Sequence, residues 1–147
     1  SNSRLLISEI LRKVSNAKTK AEKIKILRDN NSVALRQLMI INFDESIVSE
    51  IPAGDVPYTP NEAPVGTDHS RLEHEYRGLY RFFKGGDPKI KGLKRETMFI
   101  QLLEGLSAEE AELLCLVKDK GLNKKYKRIT KAVITEAFPQ IEWGGRG

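Results

Sequence analysis

Ser107-Ala108-Glu109-Glu110-Ala111-Glu112-Leu113-Leu114-Cys115-Leu116-Val117-Lys118-Asp119-Lys120-Gly121 is the stretch that decides the fold class. Ser107 and Glu110 have the spacing of a capping box, in which the hydroxyl accepts from an orphan N–H and the carboxylate reaches back to the cap. Leu113, Leu114 and Val117 recur with helical period. Gly121 is placed to supply the positive φ that closes a helix. A helix with both ends written into the sequence is the expectation.

The same reading extends outward in both directions. Downstream, a last helix is expected over 124–137, before Pro139 and a short tail, 141–147. Upstream, a helix containing 96–103 buries Met98, Phe99, Leu102 and Leu103 and stops at Gly105. Before it, a helix from Thr67 or Asp68 carries Leu72, Tyr76, Leu79, Tyr80 and Phe83 on one face, and Gly85-Gly86-Asp87-Pro88 ends it. Segment 43–66 holds Pro52, Pro57, Pro60 and Pro64, each lacking an N–H and restricting its predecessor, so it reads as an extended loop packed along the body. Asn31 is placed to cap a helix with Val33, Leu35, Leu38, Met39 and Ile41. Thr19-Lys20-Ala21-Glu22 is another capping box, opening a helix that stops at Asp29-Asn30. A first helix over 4–14 carries Leu5, Leu6, Ile10, Leu11 and Val14. The expectation is all-α: one compact domain of about seven helices over 1–147 with one long Pro-rich loop.

Composition fits. The chain has 147 residues, 39% hydrophobic and 31% charged, with mean hydropathy −0.42, which excludes collagen-like and wholly disordered chains. No apolar run approaches the roughly 20 residues of a membrane span, so no membrane partner is expected. Ser1-Asn2-Ser3-Arg4 carries no signal-peptide core. The lone Cys115 cannot form an internal disulfide, and a reducing cytoplasm is the expected setting.

The net charge of +5 is unevenly spread. Between Gln37 and Ser70 there is no Lys or Arg but six acids: Asp44, Glu45, Glu50, Asp55, Glu62 and Asp68. Between Lys118 and Lys131 seven bases (Lys118, Lys120, Lys124, Lys125, Lys127, Arg128 and Lys131) face only Asp119. A second basic stretch runs from Lys84 through Lys89, Lys91 and Lys94 to Arg95, against Asp87. Such segregation points to a polyanionic partner, although solvated helix faces are also commonly basic.

The catalytic inventory is thin. His69 and His74, five apart, lie about 140° apart on a helix, poor geometry for sharing a metal. Cys115 lies in an apolar run, where a buried, inert thiol is the simpler reading. Tyr76, Tyr80, Phe82 and Phe83 recur at helical spacing and read as core, and Trp143 as cover for the body. Neither a nucleophile elbow nor a phosphate-cradling glycine loop occurs. No enzyme, cofactor, metal or small-molecule substrate is expected.

The positive feature is the basic turn and helix. At about 100° per residue, Tyr126, Ile129, Val133 and Ala137 cluster on one side and Lys124, Lys127, Arg128 and Lys131 on the other. Four phosphate contacts would give a log–log salt slope of about −3.6 on duplex DNA. Lys118, Lys120 and Gly121 form the turn before it, where backbone N–H groups can hold a phosphate oxygen. Lys91, Lys94 and Arg95 would join them if the second basic stretch shares that surface.

These residues carry a resemblance to a known family. Leu5 to Val14, Thr19-Lys20-Ala21-Glu22-Lys23, Leu35 to Phe43, Ile51-Pro52-Ala53-Gly54-Asp55-Val56-Pro57-Tyr58, Leu116-Val117-Lys118-Asp119-Lys120-Gly121-Leu122 and Phe138-Pro139-Gln140-Ile141 resemble the N-terminal helical DNA-binding domain of ATP-dependent DNA ligases, particularly bacteriophage versions. The Leu5-Leu6-Ile7-Ser8-Glu9-Ile10 start is also similar to that of a group of small phage proteins. The ligase resemblance implies a non-catalytic domain that grips duplex DNA, nicked duplex included, sequence-nonspecifically, in an infected bacterial cell. Two departures stand out. Lys118-Asp119-Lys120-Gly121 is not the adenylation motif Lys-x-Asp-Gly, and no room remains for an adenylation domain before Gly147. The acidic loop leaves a second reading open, an adaptor that binds a host or phage protein through that loop.

Overall fold

The computed structural model describes residues 5–64 and 69–146. Its elements are α1 (Ile7–Asn16), α2 (Lys20–Asp29), α3 (Val33–Phe43), α4 (Leu72–Glu75) running into a 3-10 turn at Tyr76–Phe82, α5 (Gly92–Gly105), α6 (Ala108–Lys118), a 3-10 turn at Leu122–Lys124, and α7 (Lys131–Ala137). Among the described residues there is no strand, only two isolated bridges, Ser49 with Phe83 and Ser70 with Leu106. One apolar cluster draws on every helix, with Leu11, Leu27, Leu35, Leu72, Leu103, Leu114 and Ile134 wholly buried. Among the described residues the fold is all-α, with seven helices as expected.

The helix starts show what caps can and cannot specify. Thr19 Oγ1 accepts from the Glu22 N–H at 3.1 Å, and Ser107 Oγ from the Glu110 N–H at 3.4 Å. The Glu110 carboxylate does not close its box. It is buried, and accepts from the Ile7 and Leu72 N–H groups, each at 3.0 Å. One carboxylate thus ties the first residues of α1 and α4 to α6. Burial raises its pKa, and the two N–H donors pull it partly back. Ser32, not Asn31, caps α3, accepting from the Leu35 N–H at 3.0 Å, while the Asn31 side chain takes Arg36 instead. The first helix begins later than expected, at Ile7, with Leu6 N–H held by Glu9 Oε1 at 2.7 Å.

The expected start of the fourth helix, at Thr67 or Asp68, lies outside the described residues. Only one turn is α-helical before it tightens to 3-10. At three residues per turn, Tyr76, Leu79 and Phe82 align into one stripe and Tyr80 rotates away from it. Leu79 and Phe82 are buried, whereas Tyr80 is 52% exposed. The expectation that Tyr80 joins the core fails for that reason. Phe82 then meets Phe99 of α5 edge-on, centroids 5.1 Å apart.

The Pro-rich loop is a strap. Glu50 N–H donates to Phe82 O at 2.8 Å and Lys84 N–H to Val48 O at 2.9 Å, while Ile51 plugs into the core. Further on, Thr59 N–H donates to Glu104 at 2.8 Å. No described helix is long and apolar enough to cross a membrane.

Candidate nucleic-acid interface

The turn after α6 closes as a Schellman motif. Gly121 N–H donates to Leu116 O at 2.8 Å and Lys120 N–H to Val117 O at 3.0 Å. The left-handed position is Lys120, with φ 58°, and Gly121 has φ −108°. The assignment of positive φ to Gly121 is therefore corrected by one residue. A lysine in this conformation costs roughly 1 kcal/mol relative to glycine, and its side chain accounts for its presence. Lys120 Nζ donates to Ile41 O at 2.7 Å and Asp44 O at 2.8 Å, placing a cation on the free carbonyls that end α3. Burial lowers its pKa, against the pull of Asp44 and Glu45.

Lys118 is more deeply committed. Its side chain is wholly buried, and its ammonium donates to Pro52 O at 3.1 Å, Gly54 O at 3.0 Å and Asp119 Oδ2 at 2.8 Å. The three ammonium protons thus have three acceptors. The other end of the clamp is Gly54 N–H, which donates to the same Asp119 oxygen at 3.0 Å. Arg95 is likewise internal, donating to Arg81 O, Asp87 O and Ile90 O at 2.8 to 3.0 Å. Lys118, Lys120 and Arg95 hold loops and helix ends, and the expectation that they point at phosphates is corrected accordingly. Asp44 belongs to this same hub. Burial would raise its pKa, but hydrogen bonds from Ser46, Gly144 and Arg146 outweigh burial and lower it to about 2.

The expected helix over 124–137 is replaced by a turn, an irregular segment and a short α7. On a helix, Lys124 would neighbour Lys127 and Arg128, and both of those would neighbour Lys131, four like-charge contacts at i,i+3 and i,i+4. The chain avoids them. Arg128 adopts φ 66°, Thr130 Oγ1 caps α7 by accepting from Val133 N–H at 3.2 Å, and Lys127 O accepts from Ser15 Oγ at 2.8 Å. Tyr126, Ile129, Val133 and Ala137 are still buried, and Lys124, Lys127, Arg128 and Lys131 are still exposed. The division of faces survives the loss of the helix that was to produce it.

The neighbours of this segment add charge that the sequence reading left out. Ser15 brings the end of α1 to Lys127, and α2 packs on α7 through Arg28, whose guanidinium donates to Glu136 O at 2.8 Å and Ala137 O at 3.2 Å. The connection carrying Lys18 lies between these contacts. Four nearby carboxylates are already occupied, Glu136 by Lys20 at 2.6 Å, Glu112 by Lys125 at 2.5 Å, Asp29 by Lys25 at 2.6 Å, and Glu109 by Arg12, while Glu22 of α2 has no ion pair among the described residues and Asp55 shares a cleft with Lys124. Lys18, Lys124, Lys127, Arg128 and Lys131 have no ion pair among the described residues; Lys131 lies 5.0 Å over the Trp143 ring. Lys91, the N-cap residue of α5, and Lys94, in its first turn, are exposed, and α5 packs on α6 and the Tyr76–Phe82 turn.

Cys115 is partly buried and its thiol is pushed up to about 11 by burial. Among the described residues no three His, Cys, Asp or Glu side chains converge to hold a metal.

Fold and surface together define an all-helical domain with a strapped core and one cationic seam. The model of a family described as a family of unknown function (DUF6433) matches residues 10–124, most of the chain, and the protein belongs to that family. No curated protein and no solved structure matches it. The matched span contains the Lys118–Gly121 hub and ends before Lys127, Arg128 and Lys131.

Proposed function

We propose that the protein is a non-catalytic, sequence-nonspecific duplex DNA-binding module that grips phosphates through Lys124, Lys127, Arg128 and Lys131, with Lys18 alongside. The observation that carries this reading is the run of exposed cations, Lys18, Lys124, Lys127, Arg128 and Lys131, none of which has an ion pair among the described residues. The ligase-like pattern in the sequence supports the same class of partner. Contacts to phosphate position a protein without reading bases, so affinity should depend steeply on salt and little on sequence. Fluorescence anisotropy on two duplexes of unrelated sequence, nicked and intact, tests this. Equal affinities are expected for the two sequences, and binding should be lost in Lys124→Glu/Arg128→Glu/Lys131→Glu. Unchanged binding by that variant would refute the assignment.

The adaptor reading has one observation of its own. The strap presents Glu50, Asp55 and Glu62 to solvent with no ion pair among the described residues, and is held rigidly while doing so. Neutralising these three acids should abolish capture of a host protein if that reading is correct. Identical recoveries would count against it.

A further inference from the structure

We propose that the cleft between α3, the 3-10 turn Tyr76–Phe82 and the 84–86 turn binds a nucleotide, a flat heteroaromatic ring bearing phosphate. The cleft encloses about 430 Å³, within the range of small-ligand sites. Tyr76, Tyr80 and Phe83 line it, its cations are Arg77, Lys84 and Arg146, and no carboxylate is among its lining residues. Arg146 is matched by Asp44 at 2.9 Å, and Arg77 rests 5.7 Å from the Tyr76 centroid, so Lys84 is the cation without a partner among the described residues. A neutral aromatic ligand would leave Lys84 unanswered. An aliphatic anion would leave the rings unused.

The arrangement is built into the backbone. Tyr80 is half exposed, and Arg81, which lies outside the cleft lining, sits 5.7 Å from its ring centroid. Arg81 backs the ring, leaving the cleft side open to stacking. The 84–86 turn folds against Tyr80 so closely that a Cβ on Gly86 would lie 1.8 Å from Tyr80 O, and Gly85 takes φ +84°. A Gly-Gly pair suits this turn, since Gly86 has no room for a Cβ and Gly85 holds a positive φ. The Lys84 N–H bond to Val48 O holds the turn from the strap side. The ring and the backbone that carries Lys84 are therefore set before any ligand arrives, which lowers the cost of binding. None of Lys18, Lys124, Lys127, Arg128 and Lys131 lines the cleft, so it is tested separately from the DNA-binding proposal.

Calorimetry with adenosine monophosphate tests it, with adenosine and inorganic phosphate as half-ligands. The monophosphate should bind at least about tenfold tighter than either half, since stacking and charge each contribute. Tyr80→Ala and Lys84→Glu should each weaken it about tenfold with melting temperature unchanged. A second arm uses a short 5′-phosphorylated oligodeoxyadenylate on the Lys124→Glu/Arg128→Glu/Lys131→Glu background. Tighter binding of the oligomer identifies the terminal nucleotide of a strand as the occupant, and tighter binding of the monophosphate identifies a free nucleotide. The proposal is overturned if the monophosphate binds no better than phosphate, gives no heat at about 1 mM, or is unaffected by both substitutions.

Discussion

Lys118 and Lys131 end one basic run, and the two halves of that run do opposite work. At 118–120 both ammonium groups are turned inward, onto the carbonyls of Pro52, Gly54, Ile41 and Asp44. At 124–131 the cations face water and the chain gives up helix to keep them apart. The difference lies in what each half can reach. The α6 end lies against two sets of carbonyls, those closing α3 and those in the proline-broken strap, and two lysines are long enough to reach them. Segment 124–131 touches Ser15 of α1, Glu112 of α6 and Trp143, and of its lysines Lys125 alone finds a carboxylate among the described residues. Identical residue types thus divide into a structural hub and a candidate binding surface.

The largest effect should come from Lys118→Ala. Removing a buried cation from three acceptors costs about 3 kcal/mol, which for a chain of this size lowers the melting temperature by about 10 °C. DNA affinity measured well below that temperature should stay within about twofold. Thermal melts and anisotropy on the same preparation check both, and an unchanged melting temperature would break the comparison at its structural end.

The converse variant is the charge reversal at Lys124, Arg128 and Lys131. Losing three phosphate contacts should weaken DNA binding by about two orders of magnitude near 0.1 M salt, while melting shifts by no more than about 2 °C, as for exposed sites. A large loss of stability would mean that these cations also belong to the hub.

Lys120 offers a finer separation. Lys120→Ala loses the α3 tether and keeps the positive φ, so a cost of about 2 kcal/mol is expected. Lys120→Gly loses the tether but relieves the backbone, and should cost about 1 kcal/mol. Denaturant titrations that ranked glycine below alanine would show that the strain, and with it the Schellman reading, is wrong.

The smallest effect concerns pH. Asp44 titrates near 2 in the folded protein, below its ordinary 3.8. Its contribution is therefore complete above about pH 4 and is lost as pH falls toward 2. The melting-temperature gap between the protein and Asp44→Asn should be constant at higher pH and should narrow over that window. A gap indifferent to pH from 4 to 2 would remove Asp44 from the hub.

These variants also mark where the sequence was readable. Helix class, the caps at Thr19 and Ser107 and the burial of Tyr126, Ile129 and Val133 follow from local chemistry, and they hold in the structure. Local pattern could not show that Lys118 and Lys120 serve carbonyls sixty-four to seventy-nine residues away, or that Glu110 leaves its own cap for Ile7 and Leu72. Both depend on which backbone groups the fold leaves unpaired. The break at Arg128 had a visible signal in the like-charge spacing of Lys124, Lys127, Arg128 and Lys131. The cleft beside Tyr80 did not, because an α-helical period places that ring in the core and only the tighter 3-10 turn exposes it.

The most direct measurement is the salt dependence of duplex binding, by anisotropy between about 20 and 300 mM salt. A log–log slope of about −3.6, falling toward −1 in the Lys124→Glu/Arg128→Glu/Lys131→Glu variant, is the predicted result for four phosphate contacts on the exposed half of the run. No binding at the lowest salt, or a slope the triple variant leaves intact, would contradict the division between hub and surface.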